Sequence, residues 1–88
     1  MSRFAVEFTS SAARELRKLD PQIRRRVLEA IETLADEPRP HRARKLVGYD
    51  DAWRIRVGDY RVLYEVIDEA VLVTVFKAGH RRSVYEDR

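Results

Sequence analysis

The stretch Trp53–Ile67 constrains the fold most, because it predicts a β-hairpin closed by a two-residue turn. Gly58-Asp59 is the turn signal, since glycine supplies the positive φ that a tight hairpin turn needs. With this turn the apolar side chains share one face, which we assign to the core. The predicted cross-strand pairs on that face are Val57 with Tyr60, Ile55 with Val62, and Trp53 with Tyr64. The other face sets Arg56 directly opposite Arg61, and like charges in that position destabilise a sheet, so we expect an anion to compensate them.

Length and composition predict one small domain spanning residues 1–88. The chain has 88 residues, 44% of them hydrophobic, which suffices for a single core in a two-layer architecture. It contains no cysteine, so disulfides and Cys-containing zinc sites are excluded and a cytoplasmic location is expected. No apolar run approaches the roughly 20 residues of a membrane span, and the first ten residues lack the apolar core of a secretory signal.

The N-terminal half predicts a strand followed by two helices. Phe4, Val6 and Phe8 alternate with polar or small residues, as in a strand with one buried face. The hydroxyl residues 9–11 predict an N-cap for a helix that runs to about Leu19. Asp20-Pro21 predicts the start of a second helix, which should end near Asp36. Residues 38–48 are then expected to form a loop.

The last strand is expected at residues 71–78, in the centre of the sheet, because its apolar run is nearly continuous. A two-residue loop before it would put Phe76 opposite Arg61, and a three-residue loop would put Lys77 there. Either register brings residues 79–82 close to Arg61 and Arg56, because the strands are antiparallel. The predicted fold is α+β, with β-α-α-β-β-β order. Its four-stranded, mainly antiparallel sheet is ordered first, fourth, third, second, and the helical hairpin packs on one face.

This topology predicts a cluster of basic side chains at one end of the sheet. Its members are Arg54, Arg56, Arg61, Lys77, Arg81 and Arg82, with His80 and Tyr85 alongside. The loop before the hairpin adds Arg39, Arg42, Arg44 and Lys45 without an acid. Most basic residues of the chain are arginine, whose planar fork binds phosphate through two hydrogen bonds at once. The alternatives are ion pairs with Glu65, Asp59 or Glu86, and a loop that is simply solvated.

The residue types favour metal-free cleavage of RNA over other phosphodiester chemistry. No acids cluster at ligand spacing, and His41 and His80 lie on separate segments, so we predict neither a metal nor a cofactor. In RNA the 2′-hydroxyl can attack the adjacent phosphate, and the protein need only stabilise charge and transfer protons. Arginine is a poor base because its pKa exceeds about 12, so the proton-transfer candidates are His80, Tyr85 and Glu65. His80 could instead contact phosphate only.

Three motifs resemble the RelE/ParE superfamily of bacterial and archaeal type II toxins over nearly the whole chain. They are K-L-x-G at Lys45–Gly48, W-R-I-R-x-G-D-Y-R-V-L-Y at Trp53–Tyr64, and G-H-R-R-S-x-Y at Gly79–Tyr85. The resemblance implies a RelE-like fold and a toxin that cuts mRNA in the ribosomal A site. It also implies a cognate antitoxin as partner.

By this resemblance the catalytic residues are Arg54, Arg56, Arg61, Arg81 and Tyr85. Arg61 and Arg81 would stabilise the transition state, and Tyr85 would orient or stack on the substrate nucleotide. Further RNA contacts are expected from Arg44, Lys45, Lys77 and Arg82. The RelE-type enzymes carry lysines where this chain has Arg54 and Arg56, which leaves the base open.

Two other functions remain open from the sequence. ParE-type members share the fold, poison DNA gyrase and lack this catalytic set. A non-catalytic RNA-binding module would bind RNA with a steep salt dependence and leave it intact.

Overall fold

A computed structural model of the protein describes residues 3–80, and the predicted site residues Arg81, Arg82 and Tyr85 lie outside that range. Two helices are formed, α1 at Ser10–Arg17 and α2 at Pro21–Thr33. The strands are β1 at Ala5–Phe8, β2 at Arg44–Lys45, β3 at Ala52–Val57, β4 at Tyr60–Ile67 and β5 at Leu72–His80. A short 3-10 turn, Asp68–Ala70, connects β4 to β5. Neither helix is long and apolar enough to cross a membrane.

The strands form one sheet in the order β1-β5-β4-β3-β2, in which only the β1–β5 pair is parallel. The α+β class and the relative order of the four predicted strands are therefore confirmed. The fifth strand, β2, lies in the segment that was predicted to be a loop. It pairs with β3 over only two residues, Arg44 with Arg54 and Lys45 with Trp53. Two residues are too few to show a strand period in the sequence.

The β3–β4 hairpin has the predicted register in every pair. Gly58 adopts φ +61°, which a residue with a side chain rarely takes, and Val57 pairs with Tyr60 next to the turn. The apolar face of the hairpin is in the core, where Ile55 and Val62 are fully buried. Turn chemistry and strand alternation therefore suffice to define this element.

The helices cover one face of the sheet with a narrow apolar stripe. Ala12 and Leu16 of α1, with Val27 and Ile31 of α2, join the buried side chains of the strands in one cluster. Helix α1 starts at a local cap, since the Thr9 hydroxyl accepts a hydrogen bond of 3.1 Å from the Ala12 amide, whereas the Asp20 side chain before α2 makes no capping hydrogen bond. Proline stands at the start of α2, as predicted.

Helix α2 ends at Thr33 rather than near Asp36. The amides of residues 34–36 each bond the carbonyl three residues back instead of four, so the α-helix gives way to a tighter turn that extends to Asp36. The Ala35 carbonyl then accepts a hydrogen bond of 2.8 Å from the Phe4 amide, which ties this turn to the start of β1. The chain therefore stays turned as far as predicted, although its last residues are no longer α-helical.

Both predicted registers of β4 against β5 are wrong, because Arg61 lies opposite Gly79. The connection spans residues 68–71 instead of two or three residues, and Val71 takes the left-handed φ of +52°. Opposite Leu63 and Tyr64, β5 also carries a bulge that leaves Phe76 as an extra residue. The bulge reverses which residues of β5 face the helices. Ala78 therefore joins the core, whereas Lys77 pairs with Leu63 on the opposite face.

Candidate functional site

Two pairs of arginines lie directly opposite one another across neighbouring strands. Arg56 on β3 pairs with Arg61 on β4, as predicted, and Arg44 on β2 pairs with Arg54 on β3. All four alternate with residues that face the helices, so they lie on the other face of the sheet, which we call the arginine face. Side chains opposite one another in a sheet are close neighbours, so each pair concentrates positive charge on this face.

A cleft of about 230 Å³ on this face is lined by Arg42, Arg44, Arg54 and Arg56. Arg42 is held beside Arg56 by a hydrogen bond of 3.4 Å from its Nη1 to the Arg56 carbonyl. Within residues 3–80, no salt bridge involves Arg42, Arg44 or Arg56. Guanidinium groups arranged in this way can each give two hydrogen bonds to a phosphate or carboxylate. The cleft is therefore suited to an anion.

Arg61 occupies a different environment from Arg56, although the two are cross-strand neighbours. Only 6% of Arg61 is exposed, whereas Arg56 is exposed. Arg61 lies between Arg56 on one side and Gly79 on the other. The predicted approach of the end of β5 to Arg61 is therefore found at Gly79. The placement of Arg81, Arg82 and Tyr85 beside them stays a prediction.

The structure places Lys45 and His80 on the helix side of the sheet, away from the arginine face. Lys45 pairs with Trp53, and its Nζ donates a hydrogen bond of 2.6 Å to the Asp50 carbonyl. The His80 ring meets Tyr60 edge to face, with 5.5 Å between ring centroids. The bulge in β5 is what gives His80 this orientation. Neither side chain shares the cleft with the arginines.

Glu65 lies on the arginine face, whereas the Lys77 side chain leaves that face at the edge of β5 and reaches α1. Lys77 pairs with Leu63 and approaches Glu15 of α1, with 3.8 Å between its Nζ and the Glu15 Oε2. Glu15 also accepts a hydrogen bond of 2.9 Å from the Ala78 amide. The carboxylate thus satisfies a backbone amide of β5 beyond the point where the pairing with β1 ends. Glu65 is exposed and pairs with Ala52 and Thr74. Of the proton-transfer candidates that the structure describes, Glu65 therefore shares a face with the arginines.

Arg39, part of the predicted basic loop, serves to anchor that loop. Its guanidinium binds the carboxylates of Asp51 and Asp68, the latter at 2.7 Å. Asp51 also accepts a hydrogen bond of 2.7 Å from the Trp53 indole. These hydrogen bonds, from Arg39 first and Trp53 second, lower the pKa of the Asp51 carboxyl, and the two carboxylates raise the pKa of Arg39. The clamp joins residues far apart in the chain, so no sequence pattern announces it.

Sequence reasoning missed the position of Arg42 and the Arg44–Arg54 pair. The density of arginines before the hairpin was a signal for both, but their placement depends on β2 pairing with β3. Across residues 3–80, no group of three or more His, Asp or Glu side chains is arranged to hold a metal ion.

Comparison with known proteins gives a consistent result. A family model described as "ParE toxin of type II toxin-antitoxin system, parDE" matches residues 6–85. Toxin RelG of Mycobacterium tuberculosis is 39% identical over 87 residues, covering 93% of this chain and 95% of RelG. The mRNA interferase toxin RelE of Escherichia coli K12 is 34% identical over 80 residues, covering 89% of this chain and 83% of RelE.

The fold is also similar to a chain in the crystal structure of the toxin–antitoxin complex RelBE2 from Mycobacterium tuberculosis. That similarity has a TM-score of 0.81 at 34% identity, covering 92% of this chain and 94% of the other. The family match, the sequence relatives and the fold agree. The chain belongs to the RelE/ParE superfamily of type II toxin-antitoxin toxins.

Proposed function

We propose that this toxin is a ribosome-dependent mRNA endonuclease that inhibits translation. The observation that carries the proposal is the arginine face, with its two cross-strand arginine pairs and a cleft lined by four arginines. Guanidinium groups gathered around one cleft match the charge and the geometry of the phosphates of RNA. The 34% identity to a protein named mRNA interferase toxin RelE supports the same substrate.

In the proposed reaction the substrate supplies its own nucleophile. The 2′-oxygen of one nucleotide attacks the adjacent phosphorus, so that a P–O2′ bond forms while the P–O5′ bond breaks. The products are a 2′,3′-cyclic phosphate and a 5′-hydroxyl. Negative charge accumulates on the phosphoryl oxygens in the transition state, and positioned guanidinium groups stabilise it. We assign this role to Arg54, Arg56 and Arg61, with Arg81 completing the set and Tyr85 orienting the nucleotide.

The remaining basic residues have separate roles in the proposal. Arg44, opposite Arg54, binds a phosphate flanking the cut, and Lys77 and Arg82 bind phosphates towards the end of β5. Lys45 faces the helix side, so its contact with RNA or ribosome lies outside the cleft.

Proton transfer requires a group other than arginine. Glu65 shares the arginine face, whereas His80 packs against Tyr60 on the other, which favours Glu65 as the base among the described candidates. A Glu65→Gln variant should then cut mRNA about 10²-fold more slowly, whereas a His80→Ala variant should cut at the wild-type rate.

The proposed partner in the cell is a cognate antitoxin. The similar chain from Mycobacterium tuberculosis was solved in a toxin–antitoxin complex. A toxin that acts on translating ribosomes works in the cytoplasm, and its antitoxin would hold it inactive there. Co-expression with the product of an adjacent gene tests this directly, because a stable complex should form and growth should be restored.

A second candidate function is inhibition of DNA gyrase. It is favoured by the description of the matching family model, which names ParE. This function predicts DNA breaks and an SOS response without cleavage of mRNA.

One experiment separates the two functions. RNA 5′ ends are mapped after induction of the wild type, Arg56→Gln, and Arg14→Gln as control. Arg14 is exposed on α1, so its replacement removes the same charge away from the arginine face. We expect cuts within translated mRNA, about 10²-fold fewer for Arg56→Gln and an unchanged number for Arg14→Gln. Equal cutting by Arg56→Gln would contradict the proposed site. Intact mRNA with accumulating DNA breaks would favour gyrase as the target.

A further inference from the structure

Tyr49 and Phe76 form a stacked aromatic pair that the catalytic proposal does not use. Their ring centroids are 5.8 Å apart, and the ring planes are inclined by 23°. Tyr49 lies in the loop between β2 and β3, and Phe76 is the extra residue of the bulge in β5. The contact therefore joins segments from opposite sides of β4.

The loop that carries Tyr49 must cross β4 on the arginine face. The other face is filled by the helices and the buried core, which leaves no path for the loop. Leu63 and Ala52 point to the arginine face by strand alternation, yet both are buried, as expected beneath a covering loop. Leu63 is the cross-strand neighbour of both Arg54 and Lys77. Because Phe76 belongs to the bulge opposite Leu63, the aromatic pair lies on the arginine face, one strand away from Arg54.

The outer side of the Tyr49 ring is open to a ligand. One side of the ring stacks on Phe76, while 48% of the residue remains exposed. Cationic groups that track a backbone, next to an exposed aromatic ring, form the arrangement that binds single-stranded nucleic acid. A base is held by its flat surface, so such stacking tolerates different sequences.

We infer that Tyr49 stacks on an unpaired RNA base whose neighbouring phosphate lies on the Arg44–Arg54 pair. The inference rests on the proposed action on RNA and adds a nucleobase-binding subsite to it. The simpler role for Tyr49 is to cover Phe76. A leucine would still cover Phe76, although without the ring contact, whereas only a flat ring can continue a stack of bases.

Binding of short RNA separates these roles. The probe is a fluorescein-labelled adenosine hexamer, with six versions that each lack one base, and affinity is measured by fluorescence anisotropy at low salt. Removing a stacked base costs about 5- to 150-fold in affinity. For the wild type we expect that loss at one position of the hexamer, and a similar loss when Tyr49→Leu binds the intact hexamer.

Two comparisons make the test specific. Tyr49→Leu should bind the intact hexamer and the hexamer that lacks the stacked base with the same affinity, because the Tyr49 ring on which that base would stack is already absent. Tyr49→Phe keeps the flat ring and should bind within about twofold of the wild type. Tyr49→Phe keeps the ring contact with Phe76 and should melt with the wild type. Tyr49→Leu loses that contact, worth about 0.5–1.5 kcal/mol, so it should melt a few degrees lower and still be folded at the temperature of the binding assay.

The remaining outcomes distinguish this inference from the proposed function. If Tyr49→Leu binds every hexamer as the wild type does, the stacking subsite is wrong and the endonuclease proposal is unaffected. If no hexamer binds while mRNA is still cut in cells, the stacking subsite is wrong and the endonuclease proposal stands. If the stacking pattern is found but mRNA is not cut, the subsite stands and the endonuclease is wrong.

Discussion

Replacing Arg56 by glutamine should make this protein more stable while making it less active. Arg56 is exposed and lies opposite Arg61 across the hairpin, so the two positive charges repel in the folded state. The unfolded chain separates them and relieves most of that repulsion. Glutamine keeps a similar length and removes the charge. The backbone carbonyl of residue 56, which binds Arg42, is unaffected by the change.

The size of the gain follows from the separation of the charges. For guanidinium groups about 6 Å apart in a water-like dielectric, Coulomb's law gives about 0.7 kcal/mol of repulsion, which is a lower bound because Arg61 is buried. Screening reduces this to about 0.6 kcal/mol at 0.01 M salt, where the Debye length is about 30 Å. At 1 M salt the Debye length is about 3 Å, and about 0.1 kcal/mol remains. A gain of 0.6 kcal/mol corresponds to a rise in Tm of about 2–5 °C for a domain of this size.

The assay is urea unfolding followed by circular dichroism at both salt concentrations. Urea is uncharged, so it leaves the screening unchanged. Arg14→Gln on α1 is the control, since it removes one charge without removing a cross-strand repulsion. We expect Arg56→Gln to exceed the control at low salt, with the difference vanishing at high salt. A variant less stable than the wild type, or a gain insensitive to salt, would refute the electrostatic reasoning about the arginine face.

Three further predictions concern the scaffold. Hydrogen bonds from Arg39 and Trp53 lower the pKa of the Asp51 carboxyl in the folded protein, so the ionised carboxyl stabilises the fold. This stabilisation is fully present above the unfolded pKa of about 3.9 and is lost as pH falls through the folded pKa. Asp51→Asn should therefore lower the free energy of unfolding at pH 7. The variant should also lose less stability than the wild type as pH falls below about 4, measured by urea unfolding across pH. Tyr64→Phe removes the hydrogen bond of 2.7 Å to the Pro38 carbonyl, so it should cost about 1 kcal/mol in the same assay without changing RNA cleavage. Val71→Gly should raise the Tm, because strain of roughly 1–3 kcal/mol at φ +52° exceeds the roughly 0.4–1 kcal/mol that glycine costs through the greater entropy of the unfolded chain; an unchanged or lower Tm would argue against strain of that size at this turn.

The sequence was sufficient for the parts of the structure that depend on neighbouring residues. Gly58-Asp59 and the alternation on either side of it determined the register of the β3–β4 hairpin, including Arg56 opposite Arg61. Thr9 and Pro21 likewise marked the helix starts. Each of these features depends on a cap, a turn or a period of two, all of which act within a few residues.

Tertiary structure decided the features that join distant segments. The clamp of Arg39 on Asp51 and Asp68 links residues 12 and 29 positions apart. The Arg44–Arg54 pair exists only because a two-residue strand docks on β3. No local pattern records either contact, since each is stabilised by groups that meet only after the chain has folded.

The bulge at Phe76 shows why this distinction matters for the candidate site. A strand alternates its side chains between two faces, so one extra residue reverses the faces of all that follow. The sequence alone set Arg56 opposite Arg61 and brought the end of β5 close to them. The bulge then turned His80 towards Tyr60 and put Lys77 opposite Leu63 at the edge of β5, where its ammonium approaches Glu15 of α1. Composition and local pattern thus determined the charge of this surface, and packing in the sheet decided which side chains share it.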